Sequence, residues 1–526
     1  MKPKRGKSAE KAPKPASRPT AFWPVLLPAS ILLAALVLRT TSLTTFSTLY
    51  DEKITSDVVT GLWHGELSNN WVHTVTAPEH RIDLYNFSSY MYVDGLVAGL
   101  ASKLAAPLPD GGPDFVYWSR LFSALAGTFA IYLFYLVARR LFGPVTATIA
   151  MVAMAVMPLL VQDSHYARPE AFVLVLTGAI YFFLLRFDDL LQLDDLLQLD
   201  DRRDRLRYLA YAGFCLGLSI ACKISMIPMA LLPALFVARL RDRTLLMRAA
   251  GVCAGSILVG AFVGVPDAFF HPAAYWHGVQ YLRHQYATGS PPFGMIDSTN
   301  SMRLTATYFR QTTGLLPLFW LAGAFVLARK RQFALLAAVG GPVAFYLVYF
   351  GLQRAFFERN LSHVAPLMAI LAGVSIAAAS ERFSGKVRIA AMVALVALAT
   401  ATSIWVSSKL VFAAMRADTG QRATDYQVHM LMTVPNQIQF VCAMVSDDQL
   451  KAMIKLDKDP KGDYLVRVED YHDSFTKKYI SELKRRTKWI EVGYFPSVFE
   501  GYDVSTLVSF HALSFRYLFL RGPHTP

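Results

Sequence analysis

Apolar residues run along this chain in long unbroken stretches. They show neither the alternation of a half-buried strand nor the spacing of a helix wetted on one side. Such stretches fall at 21–38, 116–138, 144–162, 169–186, 207–222, 224–239, 247–266, 312–328, 332–350, 361–380 and 388–408. Each is close to the ~20 residues that an α-helix needs to cross hydrocarbon. They predict eleven transmembrane helices.

The polar intervals predict the rest. Residues 1–20 are rich in Lys and Pro and almost free of apolar side chains, the pattern of a disordered basic tail. No small-residue cleavage site follows the run from Ala21 to Leu38, so that run reads as a retained first span with a cytoplasmic N-terminus. Residues 42–115 form a long outer loop. Within it the moderately apolar stretch 87–105 carries Asp94 and Lys103 and predicts an amphipathic helix lying at the interface. The segment DDLLQLDDLLQLDD at 188–201 repeats six residues and reads as a duplication in a solvated loop. Beyond residue 409 the stretches QIQFVCAMVS, DYLVRVED and TKWIEVGYF predict strands, and SFTKKYISELKRR a helix between two of them. The expected fold is therefore an α-helical polytopic membrane domain, 21–408, with a small C-terminal extracytoplasmic α/β domain, 409–526.

Charge supports this layout. The pairs and clusters at Arg139–Arg140, Arg202–Arg207, Arg239–Arg243, Arg329–Arg331 and Arg382–Arg388 all fall on the side of the basic tail. Cytoplasmic loops carry such an excess. The formal net charge of +14 thus reports topology rather than nucleic-acid binding. Hydrophobic residues at 54%, charged residues at 17% and a mean hydropathy of +0.35 exclude a soluble chain of this length. Cys215, Cys222, Cys253 and Cys442 show neither a disulfide framework nor metal-ligand spacing.

With the sides assigned, ionisable residues gather on the outer one. Asp51 and Glu52 follow the first span. Asp163, His165, Arg168 and Glu170 lie in VQDSHYARPEAF, Lys223 interrupts LSIACKISMIPMA, and Arg354, Glu358, Arg359 and His363 lie in LQRAFFERNLSHVAP. Charges at a bilayer edge need water, a partner or a ligand. A carboxylate there can take a proton from an acceptor hydroxyl while cations hold an anionic leaving group. Other roles stand beside these: Asp51 and Glu52 as acids at a helix N-terminus, Asp163, His165 and Glu170 as an inter-loop network, and Lys223 as a snorkelling side chain. Trp63, Trp71, Tyr85, Tyr90 and Tyr92 suit sugar stacking and an interfacial aromatic belt equally well. Asp163 with His165 offers a divalent metal only two ligands, which define no site, and no other cofactor is indicated.

In order, these parts resemble the C-type glycosyltransferase superfamily, in particular its protein O-mannosyltransferase and lipid A aminoarabinose transferase branch. Tyr50-Asp51-Glu52 is similar to the acidic pair of that family's first outer loop. Asp163–Glu170 resembles its DSHF-x-x-x-D segment, with Glu170 at the acidic position. ARRLFG at 138–143, Lys223 after GLSIAC, and Arg359 to Pro366 with Asn360 in place of a Tyr match further motifs. Arg422 onward matches a late motif loosely, without its Trp. The resemblance implies a polyprenyl-phosphate-linked sugar as donor and a protein, lipid or polysaccharide as acceptor. It implies Asp51 as general base with Glu52 beside it, and Lys223, Arg168 and Arg359 on the carrier phosphate. Asp163, His165 and Glu170 would position substrate, with inversion at the anomeric carbon. It also suggests a bacterial inner membrane. A transporter or flippase is the alternative class, although no half of the chain repeats the other.

Overall fold

In a computed structural model of the chain, the described residues are 23–44, 50–66, 70–74, 81–85, 87–104, 115–197, 202–288, 301–414 and four strands between 439 and 522. The basic tail, the helix expected at 474–486 and the motif from Arg422 lie outside them. Helix α1 (Trp23–Thr40) is followed by the first outer loop, built of α2 (Tyr50–Trp63), the antiparallel hairpin β1 (Trp71–Thr74) and β2 (Arg81–Leu84), and α3 (Ser88–Leu104). The hairpin has no counterpart in the expectations above.

Helix α3 buries Ser88, Ser89, Tyr90, Met91, Asp94 and Ala98 and exposes Leu96, Val97, Leu100 and Leu104 together with Lys103.

Next come α4 (Phe115–Phe142), α5 (Pro144–Val156), α6 (Pro158–Asp163) and α7 (Glu170–Leu197). The joints between them are written in Gly and Pro. Gly143 turns the chain at φ 85° and Pro144 starts α5, while Pro158 holds Met157 extended and opens α6. Helix α7 runs to Leu197, so the first part of the repeated acidic segment is helix and not loop. Its Leu and Gln residues are good helix formers, and the helix already under way needs no new nucleus.

Helix α8 (Arg202–Cys222) ends at Lys223, which is extended (φ −141°, ψ 113°). A 3-10 segment, Ile224–Ala230, and α9 (Leu231–Val237) follow. Helix α10 (Arg243–Gly264) packs closely along α8 because both carry glycine at the crossing. A Cβ on Gly217 would stand 2.2 Å from the Ile257 carbonyl oxygen, and one on Gly260 2.3 Å from that of Phe214. Small residues at a crossing let two backbones approach without side chains between them.

After α11 (Asp267–Phe270) and α12 (Pro272–Thr288), α13 (Ser301–Thr313) meets α14 (Leu316–Arg329) at a bend of 108°. The span expected at 312–328 thus begins on a corner, turned by Gly314 at φ 60°. Helix α15 (Phe333–Leu335), a π turn at Leu336–Gly340 and α16 (Gly341–Gly351) make one continuous rod. Helix α17 (Ala365–Ser380) is buried nearly all round, and α18 (Gly385–Ala414) follows it. A helix apolar on every side is stable only when covered by others.

Among the described residues, five helices are long and apolar enough to cross a membrane, or six if the bent pair is one span. Shorter apolar helices occupy the other five predicted segments: Val25–Thr40, Pro144–Val156, Leu206–Cys222, Ile224–Val237 and Ala365–Ser380. Leu258, Val259, Phe325, Val387 and Val393 are exposed on the outer helices, as hydrocarbon contact permits.

The C-terminal part contributes a four-stranded sheet of order β3-β4-β6-β5, where β3 is Gln439–Met444, β4 Tyr464–Asp470, β5 Ile490–Phe495 and β6 Arg516–Gly522. Strands β3 and β4 are parallel, while β6 pairs antiparallel with both β4 and β5. The three expected strands are present. The fourth, β6, is inserted between two of them.

Candidate functional site

The chain places its site where helices break. Four breaks converge: the first turn of α2, the segment 163–170 between α6 and α7, the extended Lys223 after α8, and a 3-10 turn, Glu358–Leu361, before α17. Broken helices free backbone groups and allow charged side chains to point inward at membrane depth. Here Asp51, Glu52, Asp163 and Glu170 meet Arg359, Arg120, Arg168 and Lys223, with Glu358 buried in the same 3-10 turn as Arg359.

One end of the cluster is sealed. Glu52 is wholly buried and bound by Arg120 on both oxygens, with Nε to Oε1 at 2.8 Å and Nη2 to Oε2 at 2.7 Å. The backbone N–H of Ala167 donates to Oε1 at 2.7 Å, and Arg120 Nη1 reaches the Leu43 carbonyl at 2.7 Å. Thr55, one helical turn after Asp51, donates to the Ala167 carbonyl at 3.0 Å. The start of α2 is thereby fastened to both neighbouring loops.

In the middle, Arg168 Nη2 lies 3.0 Å from Asp163 Oδ1 and its Nε 3.8 Å from Glu170 Oε2, and Ser362 donates its hydroxyl to Asp163. Burial pushes the Asp163 carboxyl up, and the Arg168 charge pulls against it.

The other end opens. Lys223 Nζ donates to Glu170 Oε1 at 2.7 Å, and Arg359 Nε approaches the same oxygen at 4.0 Å while its Nη1 binds Asp51 Oδ2. Lys223, Arg359 and Asp51 retain 13%, 18% and 21% of their side-chain exposure, against 1% or less for Asp163, Arg168 and Glu170. A ligand arriving from outside meets these three first. Burial opposes the Arg359 charge, but Asp51 and Glu170 more than offset it and hold its pKa above the ordinary value.

His165 stands apart. Fully buried, its Nδ1 lies 2.7 Å from the Val161 carbonyl and its Nε2 3.0 Å from that of Thr41. A neutral imidazole can donate to only one of them. Burial nevertheless lowers its pKa to about 4, helped by the charges of Arg39 and Arg120 and opposed by the two carbonyls. Arg39, also buried, binds the carbonyls of Ala155 and Met154 at 2.9 and 3.1 Å and staples α1 to the end of α5.

Of the residues singled out in the sequence, Asp51, Lys223, Arg359 and Glu170 come together at the open end. Asp163 and Arg168 lie behind them, and Glu52 and His165 are locked into the scaffold. Arg354 is exposed, and buried His363 packs its ring edge-on against Tyr346 at 4.2 Å. Arg120, Ser362 and Tyr286 were not singled out. Arg120 had a signal, a lone charge early in an apolar helix; Ser362 had none. Among the described residues no three His, Cys, Asp or Glu side chains are grouped to hold a metal ion.

Comparison with known proteins bears on this arrangement. Residues 116–266 match the family model of dolichyl-phosphate-mannose-protein mannosyltransferase. That stretch contains Arg120, the 163–170 break and Lys223. A search of curated proteins by sequence finds no match.

Among solved structures, the chain is similar to the oligosaccharyltransferase of Archaeoglobus fulgidus, with a TM-score of 0.53 at 13% identity over 90% of this chain and 70% of that one. The same archaeal enzyme, AglB, in complex with an inhibitory peptide and a dolichol-phosphate gives 0.54 at 13% identity, over 89% and 69%. ArnT from Cupriavidus metallidurans bound to undecaprenyl phosphate gives 0.52 at 13% identity, over 96% and 100%. The family model and these structures belong to the C-type glycosyltransferase superfamily, and this chain shares their fold.

Proposed function

We propose that this polytopic membrane protein is a glycosyltransferase that moves a sugar from a polyprenyl-phosphate lipid to an acceptor hydroxyl, at the outer surface of an eleven-span membrane domain. The observation that carries the reading is the open end of the cluster. A partly exposed carboxylate, Asp51, stands beside two partly exposed cations, Arg359 and Lys223, that share Glu170 behind them. Such a set can accept a proton on one side and hold a phosphate on the other. The dolichol-phosphate and undecaprenyl phosphate in the structures of similar fold suggest the same donor class here.

In this reading Asp51 takes the proton of the acceptor hydroxyl as its oxygen attacks the anomeric carbon. The bond from that carbon to the phosphate oxygen breaks, the configuration inverts, and the lipid phosphate leaves toward Arg359 and Lys223. Asp51 is bound by Arg359, so its carboxylate is open to an acceptor hydroxyl once Arg359 turns to the anionic donor. Arg168, clamped by Asp163 and Glu170, orients the outer charges instead of reaching the phosphate itself. Glu52 and His165 hold the loops that present Asp51. The strands beyond residue 439 belong to an extracytoplasmic α/β domain, and the membrane is the bacterial inner membrane.

The test is deletion of the gene, with envelope glycans and glycoproteins compared by mass spectrometry, and complementation by wild type or Asp51→Asn at equal membrane levels. Loss of a sugar that only wild type restores is the expected result. If Asp51→Asn restores it as fully as wild type, Asp51 is not the base. If no sugar is lost, a transport role takes precedence.

A further inference from the structure

One residue outside the four breaks touches the turn that carries Arg359. We infer that Tyr286, near the end of α12, is a positioning residue that fixes Arg359 between Asp51 and Glu170; this rests on the glycosyltransferase reading above. Tyr286 touches the 354–360 turn at both ends. Its carbonyl accepts the N–H groups of Arg354 at 3.0 Å and Ala355 at 3.2 Å. Its phenol oxygen takes a hydrogen bond from Asn360 Nδ2 at 2.9 Å, with Asn360 Oδ1 at 3.3 Å.

The ring fills the space between these contacts. It lies 5.7 Å from Phe357 and 6.3 Å from Phe350, centroid to centroid, and the Arg359 guanidinium stands over the Phe357 ring at 5.0 Å. Arg359 thus stands over the Phe357 ring with Asp51 and Glu170 ahead of it, on a backbone whose next residue, Asn360, is held by Tyr286. The two acidic contacts belong to groups that change charge or partner during the reaction. The Tyr286–Asn360 contact does not. It keeps the guanidinium in reach of both carboxylates while its partner changes, and an error of about 1 Å in such a group is enough to cost ~100-fold in rate.

A packing role alone would need the ring but not the hydroxyl, so Tyr286→Phe separates the two. Wild type, Tyr286→Phe, Tyr286→Ala, Arg359→Lys and the Tyr286→Phe/Arg359→Lys double variant would be placed in nanodiscs. Binding of a sugar-free polyprenyl phosphate would be titrated, and hydrogen exchange followed over 354–361. The expected result is that Tyr286→Phe binds about tenfold more weakly, a loss of ~1.4 kcal/mol. It should speed exchange across 354–361 alone, and weaken binding no further once Arg359 is Lys. If wild type binds the lipid and Tyr286→Phe binds equally well, or if the two losses add in full, the positioning role is overturned while the glycosyltransferase reading stands. If wild type does not bind the lipid, that reading fails and the inference with it.

Discussion

Replacing Glu52 by Gln separates chemistry from architecture at this site. The side chain keeps its length and can still accept from the Ala167 N–H. It loses its charge, however, and turns an amide NH2 toward an Arg120 guanidinium that is itself only 3% exposed. Breaking a buried ion pair from one side costs about 3–5 kcal/mol because the remaining charge stays unpaired. Removing both charges, as Glu52→Gln with Arg120→Met, leaves only neutral groups unpaired, the Leu43 carbonyl and the new amide NH2, each a smaller penalty than a buried lone charge. The single variant should therefore accumulate poorly and melt early in detergent, and the double variant should recover part of that loss. Thermal unfolding followed by size-exclusion chromatography measures both. A Glu52→Gln protein that accumulates and melts like wild type yet forms no product would refute the reasoning. Glu52 would then be a reacting acid or base, as its place beside Asp51 in sequence suggests.

Asp51→Asn, at a more exposed pair, should change stability by less than about 1 kcal/mol and lower turnover ~100- to 10,000-fold, read from a radiolabelled sugar-transfer assay. Gly217→Ala drives a methyl into the α10 backbone and should cost about 1–3 kcal/mol. Gly251→Ala, where nothing lies within 4 Å, should leave the melting temperature unchanged. His165 stays neutral in the fold to about pH 4, whereas the unfolded chain takes up a proton near pH 6.5. Stability should therefore fall by up to about 3 kcal/mol as pH drops between those values and then level off. His165→Gln should flatten that dependence in a melt series over the same range.

The apolar segments were legible because hydrocarbon thickness sets their length, and the break at Lys223 was legible because a lone charge interrupts an apolar run; the span expected at 144–162 is instead broken at Pro158, a signal the apolar run concealed. Pairing across the breaks was not legible. Glu52 meets Arg120 at a separation of 68 residues, Asp163 meets Ser362 at 199, and Asp51 meets Arg359 at 308. No local pattern encodes which carboxylate takes which cation, so the sequence, which favours Asp51 as base with Glu52 beside it, gives no sign that the two differ so much in burial. The β1–β2 hairpin escaped because four-residue strands in a polar loop leave no alternation to count. The apolar run of β6 has the same ambiguity in a milder form.

Charge conservation gives Arg359 a direction of action. Asp51, Glu52, Asp163 and Glu170 are paired with Arg359, Arg120, Arg168 and Lys223 in turn. In the proposed reaction a lipid-phosphate sugar brings one negative charge, and transfer leaves a phosphate with two while Asp51 gains a proton and loses its own. The sum at the site is unchanged, and one negative charge has moved from Asp51 to the phosphate with Arg359 beside both. With Arg359 already drawn to the donor phosphate, protonation of Asp51 removes the carboxylate that would call the guanidinium back while charge builds on the leaving group, with no net charge created in a medium of low dielectric. Asp51→Asn mimics the protonated state. It should bind a sugar-free polyprenyl phosphate about tenfold more tightly than wild type, since Arg359 no longer has to leave a carboxylate. Titration of the lipid into nanodisc-held protein reads this directly. Weaker binding by Asp51→Asn would mean that Arg359 depends on the Asp51 charge to reach the phosphate, and the exchange of partners would have to be abandoned.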